Sequence, residues 1–340
     1  MFKKVFVLIL VLLFVGLIFT TFGSAKEGPF TIGFSHYGIG ATWRVQMVEE
    51  ARYFAAQHKD LIKELIVISA DYDVSRQISD IEDLIVKKVD AIIISASSPT
   101  ALIPAVDKAM ATGIVVVSFD DIVETDNITA NVIGDNLGFG RVQAEWLVNK
   151  LGGKGDVITF NGTAGTSCDN ERREGAYSVF DKYPNIKIVQ EVWADWDYAE
   201  AKRVMESLLA AYPKIDGIWS QGGAMSEAVL KSYLEQKMVP PPTTGENNNG
   251  FLKAWKGIRD SGKYPNFDSI AITYPTWMVD TALEVALDAL AGRVFKKITF
   301  IPILTITSET LDQNVRADLP DSFWCGTKLP EDIIKKLYER

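Results

Sequence analysis

Short runs of apolar residues alternate, from Phe30 onward, with longer stretches in which apolar residues recur at helical spacing. This alternation is typical of βα units built around a parallel sheet. In the first part of the chain it predicts strands at Thr31–Phe34, Leu65–Ser69, Ala91–Ser95 and Ile114–Phe119, and helices at Trp43–Gln57, Ser75–Lys87 and Thr100–Ala111. Because these runs are apolar throughout, we expect helices on both faces of the sheet.

A second series of the same kind follows the polar stretch Glu124–Asn127. It predicts strands at Thr129–Ile133, Asp156–Phe160, Ile186–Val192, Gly217–Trp219 and Ser269–Tyr274. A helix should open at Asp135 and Asn136, because an aspartate is a favourable N-cap and apolar residues then recur at helical spacing. The chain has 340 residues, and single cores stop growing at about 250–300 residues. We therefore predict two α/β lobes.

The first 25 residues have a different pattern. Lys3 and Lys4 precede the apolar run Val5–Phe19, and small residues at Gly23–Ala25 follow it. This is typical of a secretory signal peptide cleaved after Ala25. A membrane anchor is the alternative, but the run is short for a span of about 20 residues. The leader contains no cysteine for a lipid anchor, so we expect a protein free in the periplasm or its equivalent, and not a lipoprotein.

The charge of the predicted mature chain narrows the choice of partner. Without the two lysines of the leader, 33 basic residues stand against 44 acidic ones, a formal net charge of −11. This balance disfavours a nucleic-acid partner. The chain has two cysteines, Cys168 and Cys325. In an oxidising compartment they could form one disulfide, or remain as two buried thiols.

Polar and aromatic residues follow the predicted strands. In open α/β sheets, ligands bind beyond the carboxyl ends of the strands. The residues at these positions are Ser35, His36, Asp71, Tyr72, Asp73, Ser95, Asp120, Asp121, Asn161, Trp196, Gln221, Glu246, Asn247 and Tyr274. A solvated rim would also be polar, but it rarely combines carboxylates, amides and aromatic rings at strand ends. We therefore predict a ligand cleft there.

The sequence lacks several enzyme motifs: there is no P-loop, G-x-G-x-x-G, G-x-S-x-G or H-E-x-x-H. Its two histidines, His36 and His58, are not spaced with cysteines or with each other as metal ligands. We expect His58 at the surface and consider His36, at a strand end, a candidate for ligand contact. Asp120 and Asp121 could form a glycosidase acid pair. However, neighbours on a strand point to opposite faces, so only one should enter the cleft. We expect no catalysis, cofactor or metal.

The strand-end residues fit a sugar, which presents hydroxyls in its ring plane and C–H groups on its faces. Asp120, with Glu246 or Asn247, can accept hydrogen bonds from hydroxyls, and Arg172 and Asn170 can donate them. Trp43 and Trp196 can cover the sugar faces. We assign the other candidate tryptophans to core packing: Trp146, Trp219, Trp255 and Trp324.

Four segments carry a family resemblance: Ile32–Ser35 followed by Trp43, Val117–Asp120, Gly162–Ser167 with Glu171, Arg172 and Gly175, and Ala194–Asp197. They resemble, in order, the ligand loops of periplasmic sugar-binding proteins of the ribose-binding type, which are receptors for ABC transporters. The resemblance covers essentially the whole mature chain. It implies a type I periplasmic binding protein fold, with two Rossmann-like lobes and three hinge crossings.

The resemblance also implies the lobe boundaries. The crossings should lie near Ile133–Asp135, Tyr274–Thr276 and Ile303–Thr305. The N-terminal lobe would comprise residues 26–134 and 275–304, and the C-terminal lobe residues 135–274 and 305–340. Cys168 and Cys325 would both fall in the C-terminal lobe.

Carried over to this chain, the resemblance makes Asp120 the hydroxyl-binding aspartate, Arg172 the arginine on the far lobe, and Trp43 and Trp196 the stacking aromatics. Ser35, His36 and Arg44 complete the candidate ligand set on the first lobe.

The chain departs from the ribose receptors at three positions. It has Asp121 where they have arginine, Gly222 where they have asparagine, and Tyr274 where they have glutamine. Gln221 could replace the asparagine, and Tyr274 could offer a hydroxyl or a stacking ring. These changes point away from ribose and towards a hexose, a deoxy sugar or a polyol.

The predicted function is capture of a monosaccharide or polyol by hinge closure and delivery to an ABC transporter permease, by a monomer that needs no cofactor. A transcription regulator of the lactose-repressor type shares this sensing core but would need an N-terminal helix-turn-helix in place of the predicted leader, which argues against it. Two alternatives remain. An exported carbohydrate-active enzyme would alter its ligand. An adaptor for a chemoreceptor or sensor kinase would differ in the partner that reads the closed form.

Overall fold

The computed structural model describes residues 19–20 and 27–338. The predicted leader and its cleavage site lie outside the described residues, apart from β1 (Phe19–Thr20), which pairs antiparallel with β12 (Phe295–Lys296). Within the described ranges, no helix is both long enough and apolar enough to cross a bilayer.

The first lobe is built on a six-stranded sheet in the order β13-β6-β5-β4-β2-β3, and all neighbouring strands in it are parallel. Its elements are β2 (Phe30–His36), α1 (Thr42–Gln57), β3 (Ile62–Ser69), α2 (Val74–Val86), β4 (Ala91–Ser95), α3 (Ile103–Ala111), β5 (Val115–Phe119), β6 (Ala130–Gly134), α9 (Met278–Leu290) and β13 (Ile298–Ile301).

The second lobe is built on a six-stranded sheet in the order β14-β11-β10-β9-β7-β8, in which the edge strand β14 alone runs antiparallel to its neighbour. Its elements are α4 (Asn136–Lys150), β7 (Gly155–Asn161), α5 (Ser167–Phe180), β8 (Ile186–Trp193), α6 (Tyr198–Ala211), β9 (Gly217–Ser220), α7 (Gly223–Glu235), β10 (Thr243–Glu246), α8 (Asn249–Ser261), β11 (Ser269–Ile272) and β14 (Thr305–Ile306).

The remaining helices are α10 (Leu311–Asn314) and α11 (Glu331–Tyr338) in the C-terminal tail. The tail, predicted with the second lobe, also contacts α1 of the first lobe. The Tyr338 hydroxyl donates to Gln46 Oε1 at 2.6 Å, and Tyr53 packs against the tail cluster around Phe323.

Alternate residues of the first sheet face different helix layers. Ile93 and Val117 pack in the core with α1 and α9, whereas Ile92 and Val116 pack with α2 and α3. Successive strand residues point to opposite faces, so a strand covered on both sides is apolar at every position. The predicted two-lobed α/β class is confirmed.

Several element boundaries differ from the predictions. β3 begins at Ile62, earlier than expected, and β11 ends at Ile272, so Tyr274 lies in the connection that follows. The strands β10, β13 and β14 were not predicted. Each has four residues or fewer, too few to establish a period, and β10 directly follows a proline run.

The order of the strands in each sheet indicates where a ligand would bind. The chain passes between the sheets three times, after β6, after β11 and after β13. Within each lobe the consecutive strands are arranged second, first, third, fourth, fifth, and a parallel sheet of this kind binds ligands at the strand ends near the switch in order. In this chain the switch lies between β2 and β4 in one lobe and between β7 and β9 in the other.

Candidate ligand-binding site

A cavity of about 40 Å³ lies between the two lobes, at the carboxyl ends of both sheets. Its lining combines ion pairs with aromatic rings: Ala41, Trp43, Arg44, Asp120, Asp121, Cys168, Arg172, Trp196, Gly222, Gly223, Ala224, Glu246, Tyr274 and Trp324. The first lobe contributes residues from α1 and from the end of β5. The second lobe contributes the openings of α5 and α7 and the end of β10.

Asp120 is the central acceptor on the first lobe. It follows β5 in the left-handed conformation, with φ of 61°. Its Oδ2 accepts hydrogen bonds from Arg44 Nη1 and from Ser95 Oγ, both at 2.9 Å. Its Oδ1 contacts Cys168 Sγ at 3.6 Å. A thiol is a weak donor, so this oxygen keeps the capacity to accept hydrogen bonds from ligand hydroxyls.

Asp121 also reaches the cavity, although strand alternation predicted that only one of the two aspartates would do so. The reason is that β5 ends at Phe119 and the left-handed Asp120 breaks the alternation. Asp121 Oδ2 accepts from Arg44 Nη2 at 3.3 Å, and its Oδ1 accepts from the Cys168 backbone N–H at 2.8 Å. Asp121 therefore links the first lobe to the opening of α5 in the second.

Arg44 is buried beneath both aspartates. Its guanidinium carbon lies 3.7 Å from the centre of the Tyr37 ring, and Nη2 contacts the Tyr37 hydroxyl. Burial opposes the charge, but Tyr37, Asp120 and Asp121 together raise the pKa of Arg44. Burial also raises the pKa of Asp121 to about 6, reinforced by Asp120 and opposed by Arg44. The buried Arg44 guanidinium is therefore stabilised in its charged form by the carboxylates of Asp120 and Asp121.

Arg172 and Glu246 form the corresponding pair on the second lobe. Arg172 Nε donates to Asn136 Oδ1 at 3.1 Å, and Nη1 donates to the Gln221 carbonyl at 3.0 Å. Its Nη2 lies 3.7 Å from Glu246 Oε1. Burial raises the pKa of Glu246 to about 7, with a further contribution from Asp120 and an opposing one from Arg172.

Aromatic rings form the walls of the cavity. The Trp43 indole donates to the Tyr274 carbonyl at 2.9 Å, and the two rings lie 5.8 Å apart. The Arg172 guanidinium carbon lies 5.2 Å from the Trp196 ring and 4.5 Å from the Tyr274 ring. Trp324, which we assigned to core packing, is buried but also lines the cavity.

Five predicted ligand residues lie outside the cavity lining, and three of them have no hydrogen bond to it within the described residues: Ser35, His36 and Asn170. His36 is buried beside Phe34, with Nδ1 3.2 Å from the Gly38 carbonyl, and burial lowers its pKa to about 4. Ser35 Oγ accepts from Gln77 at 3.3 Å. Asn170 is exposed on α5. Ser35 and His36 are consecutive on β2 and so face opposite sides of the sheet, where each is hydrogen-bonded within the first lobe. Asn170 lies two positions from Arg172 on α5, so the two side chains point to different sides of the helix.

Two other predicted residues support the cavity from behind. The side-chain amide of Gln221 donates to Asp169 Oδ1 at 2.9 Å, and its backbone carbonyl accepts from Arg172 Nη1. Asn247 Oδ1 accepts from the Tyr274 backbone N–H at 3.2 Å. Of the two alternatives on this loop, Glu246 lines the cavity and Asn247 positions its neighbours.

The two cysteines are separate thiols in the structure, so the disulfide that we considered is not formed. Cys168 Sγ lies 3.4 Å from the Tyr274 hydroxyl, and Cys325 Sγ lies 3.9 Å from Asn249 Oδ1. Asp120, Asp121 and Cys168 lie close enough together to hold a metal ion. The donor set argues against one, because Arg44 already pairs with both carboxylates and burial raises the thiol pKa.

The sequence interpretation missed several cavity residues. Ala41 and Cys168 line the cavity, and each lies a short distance beyond a predicted strand, where a wider search around the strand ends would have found it. Tyr37 lies outside the lining and holds Arg44 from behind. The backbone of Gly222, Gly223 and Ala224, at the opening of α7, offers no side-chain signal of its own.

The comparisons with known proteins agree with this geometry. Residues 32–293 match a family described as "Periplasmic binding protein domain". The chain belongs to this family. The family consists of substrate-binding proteins, and the predicted resemblance to ribose-type sugar-binding proteins is confirmed.

Two curated relatives in the periplasmic binding protein family name different ligands. The chain is 32% identical over 183 residues to the xylitol-binding protein of Mycolicibacterium smegmatis, an alignment covering 54% of this chain and 52% of the relative. It is 30% identical over 210 residues to the ribose import binding protein of Bacillus subtilis, covering 62% and 67% respectively. These alignments span about half to two thirds of the relatives' lengths.

A solved member of the family supports the fold over nearly the whole chain. The ABC transporter solute binding protein from Thermobispora bispora superposes with a TM-score of 0.79 and 25% identity, covering 91% of this chain and 95% of that protein.

Proposed function

We propose that this protein is an exported receptor that captures a neutral monosaccharide or polyol between its lobes and delivers it, unaltered, to an ABC transporter. One observation carries the proposal: two buried ion pairs, Arg44 with Asp120 and Arg172 with Glu246, face one cavity from different lobes, between aromatic walls.

The charge balance favours a neutral ligand. The cavity holds two guanidinium groups and three carboxylates, and each guanidinium lies within ion-pair distance of a carboxylate. A phosphate or carboxylate ligand would meet the carboxylates without an unpaired cation to bind it. Hydroxyls both donate and accept, so they can join paired charges without disturbing the balance. The two curated relatives are named for xylitol and ribose, which are neutral compounds of this class.

Closure around the ligand would supply the signal for transport. A ligand held by Asp120 gains contacts with Arg172 and Glu246 when the second lobe approaches, and these contacts shift the open–closed equilibrium towards the closed form. A membrane permease then reads that form. Export by the predicted leader, a periplasmic location, a monomeric state and the absence of catalysis belong to the same proposal.

The ligand class can be identified by thermal unfolding of the chain from residue 26 onward, screened against pentoses, hexoses, cyclitols and linear polyols. A ligand that binds the folded state raises the unfolding temperature as its concentration increases. We expect one or a few neutral compounds to do so, and sugar phosphates and sugar acids not to. Stabilisation by the anionic compounds alone would contradict the proposal.

A second experiment separates the receptor from an exported carbohydrate-active enzyme, for which the neighbouring Asp120 and Asp121 are the candidate acids. The stabilising ligand is incubated with excess protein for a day and analysed by NMR. Full recovery of unchanged ligand is expected, and conversion would favour the enzyme.

A further inference from the structure

Trp196 reaches the cavity by crossing the end of a neighbouring strand. Its loop follows β8, and β8 lies at the edge of the sheet, next to β7. From there the indole extends past the end of β7 towards the end of β9, where it lines the cavity beside Gly222. The backbone of this loop is unusual, because both Asp195 and Trp196 are left-handed, with φ of 51° and 59°. Non-glycine residues pay for this conformation, and such residues cluster at functional sites.

Two glycines leave room for the ring. A Cβ on Gly162, directly after β7, would lie 1.9 Å from Trp196 Cζ2 and 2.0 Å from Cε2. A Cβ on Gly222, before α7, would lie 2.9 Å from Trp196 Cε3 and also 2.9 Å from Met225 Cε, the far end of a flexible side chain. The Trp196 atoms belong to opposite sides of the six-membered ring, so the indole lies between the two glycines.

Space, and not backbone conformation, calls for glycine at both positions. Gly222 has φ of −128°, which any residue can adopt. Gly162 is absent from the glycines with positive φ in the described ranges. An alanine at either position can therefore keep the backbone but not the present position of the indole.

The position of this ring matters to the ligand because Trp196 also contacts the charged group of the site. The Arg172 guanidinium carbon lies 5.2 Å from the Trp196 ring, and Arg172 pairs with Glu246. Displacing the indole would change the cavity wall and the position of a hydroxyl-binding group together.

We propose that Gly162 and Gly222 are specificity-determining residues that act through Trp196: they fix the indole against Arg172 and so select which neutral sugar or polyol fits the cleft. This inference rests on the proposed function. It assigns to two residues without side chains a positioning role in ligand choice.

The test is calorimetric titration of the two ligands that stabilise the wild-type protein most. For Gly162→Ala we expect the affinity for the better ligand to fall by about tenfold or more, the scale of one aromatic contact, and the ratio between the two ligands to change. For Gly222→Ala we expect a loss of about threefold, because the contact that it creates is less severe. Gly257→Ala is the matched control, since its Cβ would meet nothing within 4 Å, and it should leave binding unchanged.

A double-mutant cycle tests whether the glycines act through the ring. In a Trp196→Ala background, Gly162→Ala should change affinity by less than about twofold, because the clash is gone. Wild-type affinity in a folded Gly162→Ala variant would overturn the inference. So would an equal loss with and without Trp196. If Gly162→Ala does not fold, Gly222→Ala is compared with and without Trp196: removal of the ring should recover part of the loss, while the contact with Met225 Cε retains the rest. No recovery in that comparison would overturn the inference. If instead the wild-type protein binds no sugar or polyol, the proposed function itself has failed.

Discussion

At the scale of single residues, the site depends on buried carboxylates, and their burial disfavours the ionised form. Glu246 is almost completely buried, and its pKa is raised to about 7 even though Arg172 opposes the shift. A ligand hydroxyl that donates to this carboxylate competes with the proton for the same oxygen. Binding should therefore favour the ionised form.

This competition predicts a pH-dependent affinity. As the pH rises from 6 to 8, through the pKa of Glu246, affinity should increase by up to about tenfold, because the ionised fraction increases by about that factor. Calorimetric titration of the wild type and Glu246→Gln at several pH values checks this. The variant should bind more weakly and lose most of the pH dependence. If its affinity still changed with pH as much as that of wild type, the titrating group would be one other than Glu246.

The sequence identified much of the site at this scale, but not its internal geometry. Asp120, Arg172, Trp43 and Trp196 all reach the cavity, because strand ends and the family resemblance both point to them. The entry of Asp121 depends on the left-handed Asp120, which no side-chain period indicates.

At the scale of elements, α1 and α9 bury two carboxyl groups next to the second crossing between lobes. Glu50 Oε1 accepts from the Thr276 hydroxyl at 2.9 Å and from the Lys328 backbone N–H at 3.2 Å. Asp280 Oδ1 is buried and has no hydrogen-bond partner among the described residues. Burial, together with Glu50, raises the pKa of Asp280 to about 8, although Lys328 opposes the shift.

The folded state should therefore lose stability as the pH rises towards about 8. A carboxyl group with a raised folded-state pKa binds a proton more tightly when the protein is folded, so its contribution to folding stability is complete below the unfolded pKa and is lost as the pH rises through the folded pKa of about 8. Asp280→Asn removes this loss, and its unfolding temperature at pH 8.5 should exceed that of wild type by about 2–4 °C. Scanning calorimetry at pH 6 and pH 8.5 checks this, with the exposed Asp83→Asn as control. A variant less stable than wild type at pH 8.5 would contradict the assignment.

The elements themselves were largely predictable, and the exceptions have physical reasons. Apolar runs long enough to show a period, such as β2 and β4, were predicted from the sequence. β10 was not, because it has four residues, two of them threonines, after three prolines. The same prolines left the choice between Glu246 and Asn247 open, since local pattern could not fix where the strand ends.

At the scale of the whole molecule, two residues of the cavity lining, Asp121 and Cys168, also connect the lobes directly. The Asp121 carboxylate, after β5 of the first lobe, accepts from the Cys168 backbone N–H and from Ser167 Oγ at the opening of α5. A carboxylate is stabilised at a helix N-terminus by the helix dipole. Asp121 therefore favours the closed arrangement.

Removing this contact should make closure harder while leaving the pairs Arg44–Asp120 and Arg172–Glu246 in place. For Asp121→Ala we expect the ligand concentration at half-maximal compaction to increase by about three- to tenfold, the value of one buried hydrogen bond. Small-angle X-ray scattering during a ligand titration measures this midpoint concentration. For Asp121→Asn, which keeps an acceptor oxygen, the midpoint should lie between those of wild type and Asp121→Ala. An identical midpoint in the alanine variant would show that Asp121 does not contribute to closure.

The position of the ligand between the two ion pairs can be tested by calorimetric titration of the mature protein with its best stabilising sugar or polyol, compared with Asp120→Ala and with Asp60→Ala, which removes an exposed carboxylate. Wild type and Asp60→Ala should bind one ligand per chain saturably. Asp120→Ala should lose about a hundredfold or more in affinity, because the substitution removes a charge-assisted acceptor and one of the carboxylates that pair with Arg44. Undiminished binding by a folded Asp120→Ala protein would contradict this position, because the ligand would then lie elsewhere than between the two ion pairs.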